Sequence, residues 1–259
     1  MSTISHYWQH LKPQRLLRAL LPSHCALCLG ACADQLCPAC RAHYFSRRVA
    51  RCQQCGLPHH ASQCAACLRL SPAYDATIVG ADYLPPVDQL VLSLKFGHRL
   101  ALAQLFAELL RDALLQTQSG QAGPPRLALP DLLLPVPLGQ QRLAERGFNQ
   151  ALEIARPLAR ALGIPLAPRV LLRERDTGAQ SLLHTRQRAH NVRHAFALAP
   201  GAHTRIAGHH VALVDDVMTT GATVNELAAL LKRYGATHVT ILVFARTPPP
   251  EPPALDGKR

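Results

Sequence analysis

Residues 211–223, Val-Ala-Leu-Val-Asp-Asp-Val-Met-Thr-Thr-Gly-Ala-Thr, place two acids and a hydroxyl-rich glycine loop directly after an apolar run. Adjacent carboxylates at a buried strand end repel each other and lose solvation. Asp215 and Asp216 therefore require a compensating partner, such as a pair of hydroxyls or a magnesium ion. Thr219, Thr220, Gly221, Ala222 and Thr223 follow with hydroxyls and successive amides, and Gly221 lets the backbone come close to an anion. A helix expected from about Val224 to Tyr234 turns its positive end toward the same anion. The chemistry on offer is recognition of a ribose diol beside a phosphate.

A second set of residues suits a metal. Nine cysteines are present, and eight form the Cys-x-x-Cys pairs Cys25/Cys28, Cys37/Cys40, Cys52/Cys55 and Cys64/Cys67. Eight residues separate the pairs within each half, and the whole unit recurs 27 residues later, so the segment is an internal repeat of two small ribbons. Two such thiolate turns complete a closed tetrahedral site for a structural Zn²⁺. Disulfides are the alternative. The apolar stretch Leu16–Leu21 is broken by Arg18 and stopped by Pro22, too short and polar for a secretory core, so a reduced, cytoplasmic setting with metal is expected. A sequential pairing of the thiols competes with a crossed one, and the repeat favours the sequential scheme. Cys32 is read as packing rather than ligation. His24, His43, His59 and His60 lie nearby, but four thiols per site leave them no vacancy.

The acid pair and its loop resemble the phosphoribosyl pyrophosphate (PRPP) motif of type I phosphoribosyltransferases. The resemblance implies that Asp215 and Asp216 hold the ribose hydroxyls and that Thr219 to Thr223 cradle the 5′-phosphate, with Mg²⁺ accompanying PRPP. Three further patches match one subfamily. Lys95-Phe-Gly-His-Arg99 puts a base beside a glycine. Pro135-Val-Pro leads to Arg142, Arg146 and Gly147-Phe-Asn-Gln150. Gln180-Ser-Leu with Arg186, Arg188, Asn191 and Phe196 lies in a long polar connection suggestive of a lid. With the tandem ribbons, these make the chain from Cys25 to Arg246 resemble the ComF/GntX proteins, associated with competence and with use of external DNA as a nutrient. The resemblance implies pyrophosphate or lid roles for Lys95, Arg142, Arg146, Arg186 and Arg188. It makes Lys95, with the acid pair, a candidate for the catalytic set. Hypoxanthine-type relatives carry an acid three residues after the second Asp, serving the purine; here that position is Thr219, so the acceptor is handled differently.

These groups need a scaffold. Strands are expected at Ala76–Tyr83, Asp131–Val136, Val170–Leu172, Val211–Val214 and Thr237–Phe244, and helices at Pro85–Phe96, Leu100–Gln116 and Asn149–Leu162, the last bent or split at Pro157. Val87, Leu90, Val91 and Leu94 share one face of the first helix. Alternating strands and helices imply an α/β domain, a parallel sheet flanked by helices. The expected organisation is an N-terminal helical segment over 1–24, a double zinc ribbon over 25–74, a phosphoribosyltransferase-like domain over 75–246, and a disordered proline-rich tail over 247–259.

Length and composition agree. The chain of 259 residues is 48% hydrophobic, enough for one ordinary domain plus a small one. No run approaches the ~20 apolar residues of a membrane span. The formal charge is +12. Two Zn²⁺ with eight thiolates reduce it to about +8, which still suits a polyanionic partner. Two classes of function stay open. One is a Mg²⁺-dependent enzyme transferring phosphoribose from PRPP, by electrostatic stabilisation of an oxocarbenium-like state and of departing pyrophosphate. The other is a non-catalytic PRPP sensor, or a module that handles single-stranded DNA beside the DNA-uptake machinery, with affinity resting on phosphate contacts.

Overall fold

The chain divides into two units, Met1–Arg47 and Arg48–Arg259, and the division falls between the two cysteine clusters. The computed structural model describes residues 23–46, 49–118, 128–174 and 195–249. The ribbon segment expected as one domain over 25–74 is thus parted. Its first half stands in the smaller unit and its second half folds with the sheet.

The smaller unit consists of a two-residue antiparallel pairing of β1 (Ser23–His24) with β2 (Ala31–Cys32), followed by helix α1 (Pro38–Phe45). Cys37 caps α1 through its sulfur, and Pro38 opens the helix where its missing N–H costs nothing.

In the larger unit helix α2 (Ala65–Leu70), capped by Cys64 and carrying Cys67, completes the second cluster and is followed by strand β3 (Ala76–Asp82). The attachment is specific. Thr77 N donates to Gln53 O at 2.8 Å, the Thr77 hydroxyl donates to Gln54 O at 2.5 Å, and Gln54 Nε2 donates to the carbonyls of Pro72 and Tyr74, both at 3.1 Å. Arg51 Nη1 reaches Asp82 Oδ1 at 2.8 Å. These bonds explain why the second cluster belongs to the sheet's unit.

Beyond β3 come α3 (Val87–Lys95), α4 (Ala101–Gln118), β4 (Leu132–Pro135), α5 (Gln140–Arg146), α6 (Gln150–Leu162), β5 (Leu171–Arg173), β6 (Phe196–Leu198), β7 (His210–Met218), α7 (Ala222–Arg233) and β8 (His238–Arg246). The main sheet is parallel, in the order β3-β8-β7-β4. Val87, Leu90, Val91 and Leu94 are all buried, as the spacing requires. Helix α6 runs from Gln150 to Leu162 with Pro157 inside it, so of the two expected outcomes the split does not occur. An antiparallel ribbon of β5 with β6 accompanies the parallel sheet, and its second strand was not foreseen. Gln180, Ser181, Arg186, Arg188 and Asn191, expected in a lid, most of the N-terminal segment and the tail beyond Pro249 lie outside the described residues.

Strand alternation sorts the core into two faces. On one, Leu132, Leu134, Val211, Leu213, Val239, Ile241 and Val243 pack with Val224, Leu227, Ala228 and Leu231 of α7. On the other, Phe106 of α4 stacks on Phe244 of β8 with ring centroids 3.6 Å apart, and α4 and α6 cover the sheet. Burial on both faces is why these strands read as continuous apolar runs rather than alternating ones.

Candidate functional site

The two cysteine groups form by the sequential scheme, Cys25/Cys28/Cys37/Cys40 and Cys52/Cys55/Cys64/Cys67, each with its sulfurs within 4.8 Å of one another. Cys28 and Cys37 sulfurs are 3.8 Å apart, Cys52 and Cys67 3.8 Å, and Cys55 and Cys64 3.7 Å. A tetrahedron with Zn–S bonds of ~2.3 Å has edges of about 3.8 Å, whereas a disulfide closes to ~2.0 Å. The geometry fits a metal better than disulfides, and none of the nine cysteines is in a disulfide. The backbone prepares the charge. Cys37 N donates to Cys25 Sγ and Cys64 N to Cys52 Sγ, each at 3.4 Å. Against the burial that disfavours a thiolate, such amides hold Cys25 down at about 6 and Cys52 at about 7, while burial beside its neighbouring thiols pushes Cys40 up to about 12. Cys32 stands apart, its thiol donating to Asp34 O at 2.8 Å.

The other site is a cleft of about 180 Å³ at the carboxyl ends of β4 and β7, where parallel sheets present their ligand sites. Lys95, Arg142, Asp215, Asp216 and the loop from Thr219 to Thr223 all line it. The structure differs from the sequence expectation in where β7 ends. The strand runs on through both acids to Met218, because β8 pairs with it as far as Met218↔Arg246. On the other side β4 stops at Pro135↔Val214, so the acids lie just past the last residue that β4 covers. That one-sided ending opens the cleft.

Successive strand residues face opposite sides, which makes the two acids inequivalent. Asp216 points to the α3 and α6 side. It is buried, with Lys95 Nζ 2.7 Å from its Oδ2 and Gln150 Nε2 donating to its Oδ1 at 3.4 Å. Asp215 is half-buried, and its Oδ1 accepts the Asp216 amide at 2.9 Å. Desolvation would raise both. It does raise Asp215, helped by the neighbouring carboxylate, whereas the Lys95 ammonium overcomes it at Asp216 and holds that carboxyl below its ordinary range. Asp216 carries the charge, and Asp215 is the easier of the pair to protonate.

The loop closes the cleft below. Gly221 has φ +81°, and a Cβ there would stand 2.7 Å from Met218 Cε and 3.3 Å from the Tyr74 hydroxyl, so only glycine fits. It also caps α7, whose first residues line the cleft, and Ala222 N donates to Thr220 Oγ1 at 3.3 Å.

Two arginines depart from expectation. Arg146 does not line the cleft; it donates to Gln150 Oε1 at 2.6 Å and lies over the Phe96 ring at 5.3 Å, one step behind Asp216. Arg173, which the sequence reading passed over, does line it, from the end of β5. Its signal was a lone base closing an apolar strand. Gln150 was noted only as part of a motif, and its polar side chain at the start of a strongly amphipathic helix was the cue.

Among the described residues no helix is long and apolar enough to cross a membrane. Residues 149–256 match the model of the phosphoribosyl transferase domain. The chain is 37% identical over 232 residues to DNA utilization protein YhgH of Salmonella typhi, spanning 88% of this chain and 98% of that protein. The protein of the same name from Escherichia coli (strain K12) is 38% identical over 198 residues, 76% of this chain and 84% of the relative. Competence protein F of Haemophilus influenzae is 32% identical over 225 residues, covering 86% and 95%. With a parallel sheet flanked by helices, two four-cysteine groups and these relatives, the chain belongs to the DNA utilization protein YhgH and competence protein F family and carries a phosphoribosyl transferase domain.

Proposed function

We propose that the cleft binds PRPP with Mg²⁺ and that the protein is a phosphoribosyltransferase-type enzyme or PRPP-responsive module of DNA utilization. The observation that carries this is the convergence, in one cleft, of an inequivalent acid pair and a glycine loop that starts a helix. The loop amides and threonine hydroxyls would take the 5′-phosphate. Asp215 and Asp216 would take the ribose diol. Among the described residues, Lys95, Arg142 and Arg173 line the cleft as cations that would meet the pyrophosphate. Mg²⁺, when bound, would supply further neutralisation of that group.

Lys95 has a specific part in this reading. Its Nζ pairs with Asp216 Oδ2 at 2.7 Å. As the diol takes over the carboxylate, the ammonium is released to face the leaving group, and charge on departing pyrophosphate is met where it develops. The bond that breaks is C1–O to pyrophosphate, and an acceptor nucleophile replaces it. Thr219 at the floor of the cleft offers no carboxylate to a purine.

Calorimetry with PRPP and Mg²⁺ tests the site. Asp215→Asn with Asp216→Asn should lower affinity at least a hundredfold with the melting transition retained, and unchanged affinity refutes it. Lys95→Met should weaken PRPP more than ribose 5-phosphate; equal losses remove its pyrophosphate role.

A second reading is single-stranded DNA handling beside the uptake machinery, in the cytoplasm. It is favoured by the names of the relatives and by a formal charge of +12. Titration of a labelled oligonucleotide across salt tests it, since phosphate-based affinity falls steeply with ionic strength.

A further inference from the structure

Arg246 is buried, only 4% exposed, and closes a strand that is otherwise apolar from Val239 to Ala245 apart from Thr240. Its Nε and Nη1 are engaged by backbone carbonyls. Nε donates to Cys55 O at 2.9 Å, and Nη1 donates to Met218 O at 2.9 Å, to Thr219 O, and to Thr247 O at 3.1 Å. One planar fork therefore joins the carbonyl of a second-cluster cysteine to the two residues that begin the phosphate loop.

Two further ties run the same way. Tyr74, buried, brings its hydroxyl to within 3.3 Å of the space over Gly221, and Ala73 N donates to Asn225 Oδ1 in the first turn of α7 at 2.8 Å. Gln54, between the second-cluster cysteines, holds the carbonyls on either side of Ala73. The Cys52–Cys67 cluster is thus tied to both ends of the loop through intermediates, to 218–219 by Arg246 and to 221–225 by residues 73–74.

We propose that Arg246 is a positioning residue that carries the geometry of the metal-loaded Cys52–Cys67 cluster to the phosphate loop. Loading of that cluster, and not of the Cys25–Cys40 cluster, would then set anion affinity in the cleft. The cluster's residues fit a metal by the sulfur spacings already given. Four thiolates with Zn²⁺ carry a net charge of −2, which offsets a guanidinium that burial alone would disfavour. A zinc-free cluster loosens the Cys55 turn. The fork then loses the Cys55 acceptor, and Met218 and Thr219 lose their fixed donor. A lysine cannot replace this, because one ammonium does not span Cys55 O and the loop carbonyls together.

The inference rests on the loop being the anion site, so two readouts are taken on the full-length protein. One is calorimetric affinity for PRPP with Mg²⁺. The other is hydrogen exchange of amides 218–223, with amides 132–134 of β4 as an internal control. Cys64→Ser should leave one zinc per chain, lower affinity at least tenfold and speed loop exchange at least tenfold more than that of β4. Cys37→Ser should also leave one zinc, with both readouts within twofold of wild type. Arg246→Lys and Arg246→Gln should keep two zinc and reproduce the loop exchange of Cys64→Ser, which keeps the test decisive if that variant unfolds. Failure of wild type to bind PRPP would overturn the proposed ligand while leaving the exchange test intact. Slow loop exchange in both Arg246 variants, or equal effects of Cys37→Ser and Cys64→Ser, overturns the brace.

Discussion

The two cysteine clusters share one local plan and differ in what surrounds them. Leu29 N donates to Cys25 O at 3.0 Å as Gly56 N does to Cys52 O at 2.9 Å, and Cys25 N reaches Gly30 O at 2.8 Å as Cys52 N reaches Leu57 O at 2.9 Å. In both, the residue after the second cysteine is left-handed: Leu29 at φ 62° and Gly56 at φ 71°. Yet Leu29 is 70% exposed and Cys28 is exposed, whereas the second cluster is buried and Gly56 lies against β3. A metal knuckle needs the left-handed turn, and the neighbourhood decides which residue supplies it.

The largest separation between the clusters should come from losing a ligand. Cys67→Ser is expected to lower the melting temperature of the Arg48–Arg259 unit by ~10 °C, since a buried ligand set worth several kcal/mol is broken within that unit. Cys40→Ser should leave that transition within about 2 °C, because its cluster lies in the other unit. Calorimetric scans of both variants check this, and equal shifts would erase the distinction.

A smaller effect isolates the packing. A Cβ at Gly56 would stand 2.6 Å from Val79 Cγ2 and 3.0 Å from Thr77 Cγ2, at a φ that L-residues avoid. Overpacking and left-handed strain together make Gly56→Ala cost about 2–4 kcal/mol. Denaturant melts measure it. A cost below about 0.5 kcal/mol would mean that β3 yields and that the second cluster is not seated firmly.

Much of this was legible in the sequence. The 27-residue repeat gave both clusters and their sequential pairing, because ligand spacing is a local property. Residues 211–223 gave the cleft's acids and loop, and the helical face of Val87, Leu90, Val91 and Leu94 was readable from period alone. What was not legible depends on contacts distant in sequence. Arg246 meets Cys55 across 191 residues, so nothing near it in the chain marks it as more than a strand end. Arg146 lies near Arg142 and resembles it in sequence, but the one turn of α5 between them separates a cleft residue from one that supports Gln150. The boundary between Arg47 and Arg48 was hidden because the repeat makes both ribbons look like one domain, while the bonds from Gln53 and Gln54 to Thr77 decide otherwise.

The smallest effect runs in the opposite direction and sharpens the comparison most. Leu29 occupies the same left-handed turn without the collision, so its strain of ~1–2 kcal/mol is relieved by Leu29→Gly, against a gain in unfolded-chain entropy that costs folding ~0.5–1 kcal/mol. Little apolar burial is lost, because the side chain is exposed. The net gain is about 0.5–1 kcal/mol, and since a small metal unit folds with its metal, it should be read as a two- to fivefold tighter hold of one zinc against a chromophoric chelator. The other zinc should not change. Leucine and glycine thus stand at equivalent positions for unequal reasons: the first turn tolerates a side chain that solvent accommodates, and the second excludes one because β3 fills the space. Weaker zinc retention in Leu29→Gly would show that Leu29 is held by packing, and that the first cluster has a covered face of its own.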